Sequence, residues 1–150
     1  MQKDIDIIIY GATGFTGQLC VKYFQSLNTD VNWAIAGRDQ DKLQKVASDN
    51  SVDVEMLIAD SDDEVALDIL TSRAKVILST TGPFHRYGSK LVASCVKNSA
   101  NYVDITGENF WVKGLIAKHH EEASAKGIRI IPSCGYDSIP SDLGVFYSAK

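Results

Sequence analysis

Short apolar runs recur along the chain at fairly even intervals, and each is rich in β-branched residues. Three successive isoleucines, Ile7, Ile8 and Ile9, are the clearest case, because a strand with one wet face would alternate apolar and polar residues. Such runs are typical of strands buried on both faces of a parallel sheet. The sequence predicts six: Ile5–Tyr10, Val31–Ala36, Val54–Ala59, Val76–Thr80, Tyr102–Ile105 and Ile128–Ile131.

Helical patterns lie between these runs. Asp39 suits the N-cap of the second helix, and Asp62–Glu64 supply acids to the first turn of the third. A further helix start, 138–144, lies near the end of the chain. The alternation of strand and helix predicts an α/β fold with a doubly wound, mainly parallel sheet in three layers, α/β/α, over residues 1–150. The predicted apolar stripes are Cys20, Phe24 and Leu27; Leu43, Val46 and Ala47; Ala66, Ile69 and Leu70; Leu91, Val92, Cys95 and Val96; and Trp111 and Leu115 with either Lys118 or His119.

A glycine-rich turn follows the first predicted strand and precedes a helix. A phosphate sits well at such a point, because the helix N-terminus offers free N–H groups and partial positive charge. Gly11 permits the tight turn, Gly14 lets the backbone approach a pyrophosphate, and Gly17 lets the helix pack close to the strand. A plain tight turn is the alternative. The predicted cofactor-binding residues here are Gly11, Ala12, Thr13, Gly14, Phe15, Thr16 and Gly17.

The end of the second predicted strand indicates which dinucleotide binds. Sites specific for NAD place an acid there to hold the ribose 2′-OH, but Gly37 takes that position and Arg38 follows it. A guanidinium suits a 2′-phosphate, so NADP(H) is preferred, with NAD(H) as the second option. In the alternative, Arg38 is a solvated loop residue and Asp39 binds the ribose. Asp60 ends the third strand, where it either borders the adenine or caps the next helix.

Polar, glycine-rich loops follow the last three predicted strands, where ligands of such sheets lie. His85 is a candidate acid/base and Tyr87 a candidate donor to a substrate carbonyl; the alternatives are a surface or packing histidine and a ring that caps a helix. Other side chains in these loops have both a chemical and a structural interpretation. Asp104 and Glu108 either hold a ribose or substrate amine or act as caps, Asp137 is favoured as a cap, and Cys134 as a buried thiol rather than a nucleophile.

Composition excludes several classes of protein. The 150 residues are 45% hydrophobic and carry a net charge of −4, which argues against a disordered tail and against a nucleic-acid binder. No apolar run reaches the length of a transmembrane helix. Three cysteines without a CxxC pair favour a reducing, cytoplasmic location and no metal site. His119 and His120 point about 100° apart on a helix, so they are interpreted as surface residues.

Five motifs in order resemble the saccharopine dehydrogenase-like oxidoreductases, in the branch that includes trans-acting enoyl reductases. The motifs are Tyr10–Gly17, Trp33–Arg38, Thr81–Phe84 with Tyr87 and Gly88, Tyr102–Glu108 and Cys134–Gly144. The resemblance implies an N-terminal Rossmann domain that binds NAD(P), with Thr81, Gly82 and Pro83 near the nicotinamide.

The same resemblance implies a longer protein with a separate substrate domain, so the chain is expected to be an N-terminal fragment, inactive alone. It also implies hydride transfer to a C=C or C=N bond of a small-molecule or lipid-like substrate. The Tyr-x-x-x-Lys pair of short-chain dehydrogenases does not occur in these 150 residues. A non-catalytic NADP(H)-sensing or scaffold module is therefore the alternative. A homodimer is a further expectation.

Overall fold

A computed structural model describes residues 3–27 and 30–149. Its six strands form one all-parallel sheet with the order β3-β2-β1-β4-β5-β6, which confirms the predicted fold class. The strand order reverses between β1 and β4, so a crevice opens beyond the carboxyl ends of these two strands. The strands are β1 (Ile5–Tyr10), β2 (Trp33–Gly37), β3 (Glu55–Ile58), β4 (Ala74–Ser79), β5 (Asn101–Asp104) and β6 (Ile130–Ile131).

Two hydrophobic clusters cover opposite faces of the sheet. Ile9 packs with residues of the first two helices, whereas Ile8 packs with residues of the next three. Neighbouring residues of β1 thus point into different clusters, which explains why the run from Ile7 to Ile9 is apolar without alternation. The predicted three layers are confirmed. The helices are α1 (Phe15–Ser26), α2 (Gln40–Asn50), α3 (Glu64–Arg73), α4 (Phe84–Lys97), α5 (Asn109–Ala125) and α6 (Ile139–Ser148).

The predicted stripes of α2 and α4 are buried, and two others need correction. In α1 the buried residues are Gly17 and Val21, while the predicted stripe residues are only partly buried. In α3, Ile69 is 59% exposed, because Leu67, Leu70 and Thr71 face the core instead. Thr71 can occupy a core position because its hydroxyl lies 2.8 Å from the Ser94 hydroxyl.

His119 is the third residue of the buried stripe of α5, after Trp111 and Leu115. Its side chain is 7% exposed, so its interpretation as a surface residue was wrong, whereas His120 is exposed as predicted. Burial lowers the pKa of the His119 imidazole. This histidine therefore belongs to the packing of α5.

Strand ends account for the remaining differences from the predicted elements. Val31 is exposed and lies outside β2, and β6 has two residues instead of four. Helix α6 begins after Ser138, which makes no side-chain capping bond, and the Asp137 carboxylate makes no hydrogen bond with the described residues. The favoured interpretation of Asp137 as a cap was therefore wrong. Within the described ranges, no helix is long and apolar enough to cross a membrane.

Candidate functional site

A cleft with a volume of about 410 Å³ lies at the carboxyl ends of β1, β2 and β4. It occupies the point where the strand order reverses, which is where ligands of doubly wound sheets lie. Tyr87 lines the cleft, but His85 does not. Predicted cofactor residues that line it are Gly11, Thr13, Gly14, Gly37, Arg38, Thr81, Gly82 and Pro83.

Two positions of the turn require glycine, because neighbouring atoms lie too close to leave space for a Cβ. Gly11 has φ +85°, and a Cβ there would lie 2.2 Å from Oγ1 of Thr81. A Cβ at Gly17 would lie 2.1 Å from the carbonyl oxygen of Gly11. Gly17 and Ala12 are buried, so they shape the turn from behind instead of lining the cleft.

The N-terminus of α1 opens at this turn. Gly14 is the N-cap, no side chain caps the helix, and its first turn contains no acid. The first N–H groups of a helix have no acceptor within the helix, so those of α1 are available to an anion. A Cβ on Gly14 would meet only the Gly11 carbonyl, at 3.4 Å, which leaves room for a ligand. Phe15 is 82% exposed and Thr16 is half-buried at this entrance.

Arg38 and Asp39 have different environments. Arg38 lines the cleft and is exposed, and its guanidinium makes no hydrogen bond or ion pair with the described residues. The Asp39 carboxylate caps α2 by accepting the N–H of Lys42 at 3.0 Å, as predicted, and this bond is the main reason that the pKa of Asp39 is lowered. Asp39 is used as a cap and is not in the cleft lining, so Arg38 is the charged side chain of this pair that the cleft contains.

The loop after β3 contributes Ser61 to the cleft, while the neighbouring Asp60 is turned toward its own loop. One Asp60 carboxylate oxygen accepts the N–H of Asp62 at 2.9 Å. The N-cap of α3 is Asp63, which accepts the N–H of Ala66, so the alternative of Asp60 as helix cap was wrong. Contact of Asp60 with adenine stays a prediction.

The loop after β4 forms the opposite wall of the cleft. The Thr80 hydroxyl donates to the carbonyls of Tyr10 and Gly11, at 3.3 and 3.2 Å. The Thr81 hydroxyl is buried without a partner among the described residues, and it lies beside Gly11. A buried hydroxyl without a partner carries a free-energy cost that a bound ligand would remove. The Gly82–Pro83 peptide bond is cis.

Glu108 closes the N-terminus of α4. Its carboxylate accepts the N–H of Phe84 at 2.8 Å and the N–H of His85 at 2.9 Å. The same group lies 2.6 Å from Nδ1 of His85, and the His85 ring packs against Phe110. Burial opposes ionisation of Glu108, but the bonds from His85 and Phe84 outweigh it, so the pKa of Glu108 is lowered. Of the two interpretations of Glu108, the geometry favours the cap.

Asp104 is buried and joins two loops at the carboxyl edge of the sheet. It accepts the N–H groups of Thr106 and Ser133, at 2.9 and 3.0 Å, and the Tyr102 hydroxyl at 2.8 Å. Burial is the largest influence on this carboxyl and raises its pKa, although the three hydrogen bonds act in the opposite direction. The geometry therefore also favours a structural role for Asp104. Since Ser133 lies 29 residues further along the chain, no local pattern could have revealed this contact.

Cys134 is exposed, so its interpretation as a buried thiol was wrong. Its Sγ donates to the Ile131 carbonyl at 3.2 Å, and partial burial and Asp104 raise its pKa, which disfavours the nucleophilic thiolate. Among the residues that the structure describes, no cluster of His, Cys, Asp and Glu has the geometry to hold a metal ion.

The chain resembles known proteins over nearly its whole length. Residues 7–131 match the family model of the saccharopine dehydrogenase NADP-binding domain. Trans-acting enoyl reductases of Mycobacterium leprae and Mycobacterium ulcerans are 39% and 40% identical to it over 97% of the chain. Apo saccharopine dehydrogenase (L-Glu forming) from Saccharomyces cerevisiae has the same fold, with a TM-score of 0.72 over 89% of this chain at 20% identity.

The chain spans 35% of the length of the M. leprae protein, 36% of the M. ulcerans protein and 28% of the yeast structure. The family match confirms the predicted cofactor, NADP(H). It also confirms the resemblance that the five sequence motifs indicated. The 150 residues therefore belong to the family of saccharopine dehydrogenase NADP-binding domains.

Proposed function

We propose that this chain is the cofactor domain of an NADP(H)-dependent oxidoreductase that transfers hydride to a C=C or C=N bond. The observation that carries the proposal is the uncapped N-terminus of α1, which opens into a cleft that also holds Arg38, whose guanidinium has no partner among the described residues. The names of the enoyl reductase relatives support a C=C bond and a small-molecule or lipid-like substrate. Because those relatives are much longer, we assign substrate recognition to residues outside this domain.

The residues of the cleft fit NADP(H) at three points. The first turn of α1, entered through Gly14, would bind the pyrophosphate with its free N–H groups. Arg38 would bind the 2′-phosphate. The Thr81 hydroxyl, which is buried and has no partner within residues 3–27 and 30–149, would find one on the cofactor near the nicotinamide. Gly82 and Pro83 continue the same wall.

Bound NADPH would supply the hydride, and the chain's own residues would orient the reacting groups and supply a proton. Tyr87 lines the cleft, and its hydroxyl would donate to a substrate carbonyl. His85 lies two residues before the cleft residue Tyr87 and is 51% exposed, although it is not in the cleft lining. With its Nδ1–H donated to Glu108, the imidazolium form would carry a second N–H at Nε2, and this N–H would supply the proton for the second atom of the reduced bond. Hydride and proton together then saturate one double bond.

Two further expectations accompany this proposal. The three free cysteines support a reducing, cytoplasmic location. The homodimer stays a prediction.

A non-catalytic sensor or scaffold is the alternative function. An assay of the full-length protein with a trans-2-enoyl thioester as probe distinguishes the two functions. An oxidoreductase oxidises NADPH, so NADPH fluorescence decreases, whereas a sensor binds NADPH without oxidising it.

Titration of this chain with NADPH and NADH tests the cofactor assignment directly. We expect NADPH to bind more tightly, and Arg38→Ala to remove that preference at a cost of about 1.5–3 kcal/mol, or roughly 10- to 150-fold. Arg129→Ala is the matched control, because Arg129 is an exposed arginine next to β6 and outside the cleft. Failure of the wild-type chain to bind either nucleotide would contradict the proposal and favour a scaffold.

A further inference from the structure

A second arginine, Arg86, contacts a residue that lines the cleft. The Arg86 guanidinium carbon is 5.3 Å from the centroid of the Tyr87 ring, which lines the cleft. Arg86 is exposed, and its guanidinium makes no hydrogen bond or ion pair with the described residues. A cation–π contact at an exposed site is worth only about 0.5–1 kcal/mol, so a charged ligand can displace it. This guanidinium is therefore free to move to an anion.

Lys90 indicates which way Arg86 faces. Its Nζ bonds the carbonyl and the carboxylate of Asp62, at 3.2 and 3.1 Å, and Asp62 follows the cleft residue Ser61. Residues four apart on a helix share a face, so Arg86 lies on this same face of α4. It is four residues, or about 6 Å along the axis, closer to the start of the helix, which borders the cleft. Arg86 does not itself line the cleft, but its side chain packs on Tyr87, which does, and it extends from the α4 face that is turned toward the loop after β3.

The charge of the ligand provides a reason for a second cation. A phosphate monoester carries about −1.5 to −2 at neutral pH, whereas Arg38, the basic residue among those that line the cleft, contributes +1. Lys90 is neutralised by Asp62 and Glu64. We propose that Arg86 leaves the Tyr87 ring and donates to the 2′-phosphate of NADP(H) from the side opposite Arg38. This inference rests on the proposed function and adds a residue that determines its cofactor specificity.

Charge-matched variants of α4 test the proposal. Arg86→Gln and Lys90→Gln each remove one positive charge from the same face, and both side chains are exposed, so circular dichroism should report unchanged folding. At low salt we expect Arg86→Gln to raise the Kd for NADPH about 5- to 20-fold, with the Kd for NADH unchanged within about twofold. Lys90→Gln should raise the Kd for NADPH by less than about twofold.

Equal losses of NADPH affinity in Arg86→Gln and Lys90→Gln would overturn the proposal, because the general positive charge of this face of α4 would then explain both losses. An equal loss for NADPH and NADH would overturn it in favour of a pyrophosphate contact. Adenosine 2′,5′-bisphosphate and AMP sharpen the test: Arg86→Gln should weaken the bisphosphate alone. If NADPH binds the wild type but Arg86→Gln changes nothing, this inference alone fails. If the wild-type chain binds neither nucleotide, the proposed function fails and the inference fails with it.

Discussion

Helices α1 and α4 both begin just beyond the carboxyl ends of adjacent strands, but they differ in what accepts hydrogen bonds from their first N–H groups. At α1 the N-cap is Gly14, with no capping side chain and no acid in the first turn. At α4 the carboxylate of Glu108 accepts the N–H groups of Phe84 and His85. The same backbone dipole is thus left open at one helix and neutralised internally at the other.

This difference teaches which helix start can serve as a phosphate site. An internal carboxylate has already occupied the α4 N-terminus, so a ligand would have to displace Glu108 and leave its charge uncompensated. In the part of the chain that the structure describes, no carboxylate occupies the α1 N-terminus and no side chain pairs with Arg38, which lies in the same cleft. The internal anion at α4 instead fixes the first turn of that helix, which carries His85. One helix start is therefore suited to binding and the other to positioning.

The largest expected effect comes from filling the space behind the α1 turn. Gly17→Ala would place a Cβ 2.1 Å from the Gly11 carbonyl oxygen, and the backbone would have to separate. We expect a loss of about 3 kcal/mol in the free energy of unfolding, measured by urea denaturation, together with loss of NADPH binding. The control is Gly114→Ala in α5, where a Cβ meets nothing within 4 Å. It should stabilise the helix by about 0.5–1 kcal/mol.

Converting the open helix start into a closed one should separate stability from binding. Gly14→Asp would place a carboxylate at the N-cap, where φ −75° and ψ 166° suit a capping residue. We expect a few tenths of a kcal/mol of added stability and a Kd for NADPH at least about 100-fold higher, because the new charge takes the place of the pyrophosphate. Gly14→Ala adds a Cβ without charge. A similar loss of affinity in both variants would mean that space, and not the anion site, is what Gly14 supplies.

Much of the architecture could be predicted from the sequence because it depends on local pattern. The isoleucine run of β1 and the glycine turn after it specify a buried strand and a phosphate-type turn without any long-range information. The Asp39 cap is equally local, since donor and acceptor are three residues apart. The fold class and the cofactor follow from such short segments.

Two positions that the sequence misplaced or left open, Thr71 and Glu108, depend on contacts that are distant in the sequence. Thr71 looks polar and was not placed in the core, because its partner Ser94 lies 23 residues away. His119 is buried in the stripe of α5 despite its polarity. Glu108 carried two interpretations, and the geometry that favours the cap is a contact with Phe84, 24 residues earlier. The pattern of hydrophobic residues does not reveal hydrogen bonds between residues that are so far apart in the sequence.

Opening the closed helix start should cost stability and leave the cofactor bound. Glu108→Ala would leave the Phe84 and His85 N–H groups without their acceptor, so we expect a loss of about 1–2 kcal/mol in the free energy of unfolding. The Kd for NADPH should stay within about threefold of the wild type, because the α1 site is untouched. A loss of NADPH affinity as large as that expected of Gly14→Asp would contradict the division between the two helix starts.

The smallest expected effect is the pH dependence of the α4 cap. The pKa of Glu108 in the folded protein lies below its ordinary value of 4.5. Its ionised form therefore stabilises the fold above pH 4.5, and this contribution is lost as the pH falls through the lowered pKa of the folded protein. The difference in unfolding free energy between wild type and Glu108→Gln should therefore be largest near neutral pH and shrink below about pH 4.

The pH dependence expected for Asp104 has the opposite sign, because burial raises its pKa. Relative to Asp104→Asn, the wild type should gain stability as the pH falls through that raised pKa. Urea denaturation of the three proteins across this range measures both slopes, and parallel slopes for the two variants would show that Glu108 and Asp104 are not held in the contrasting environments described above.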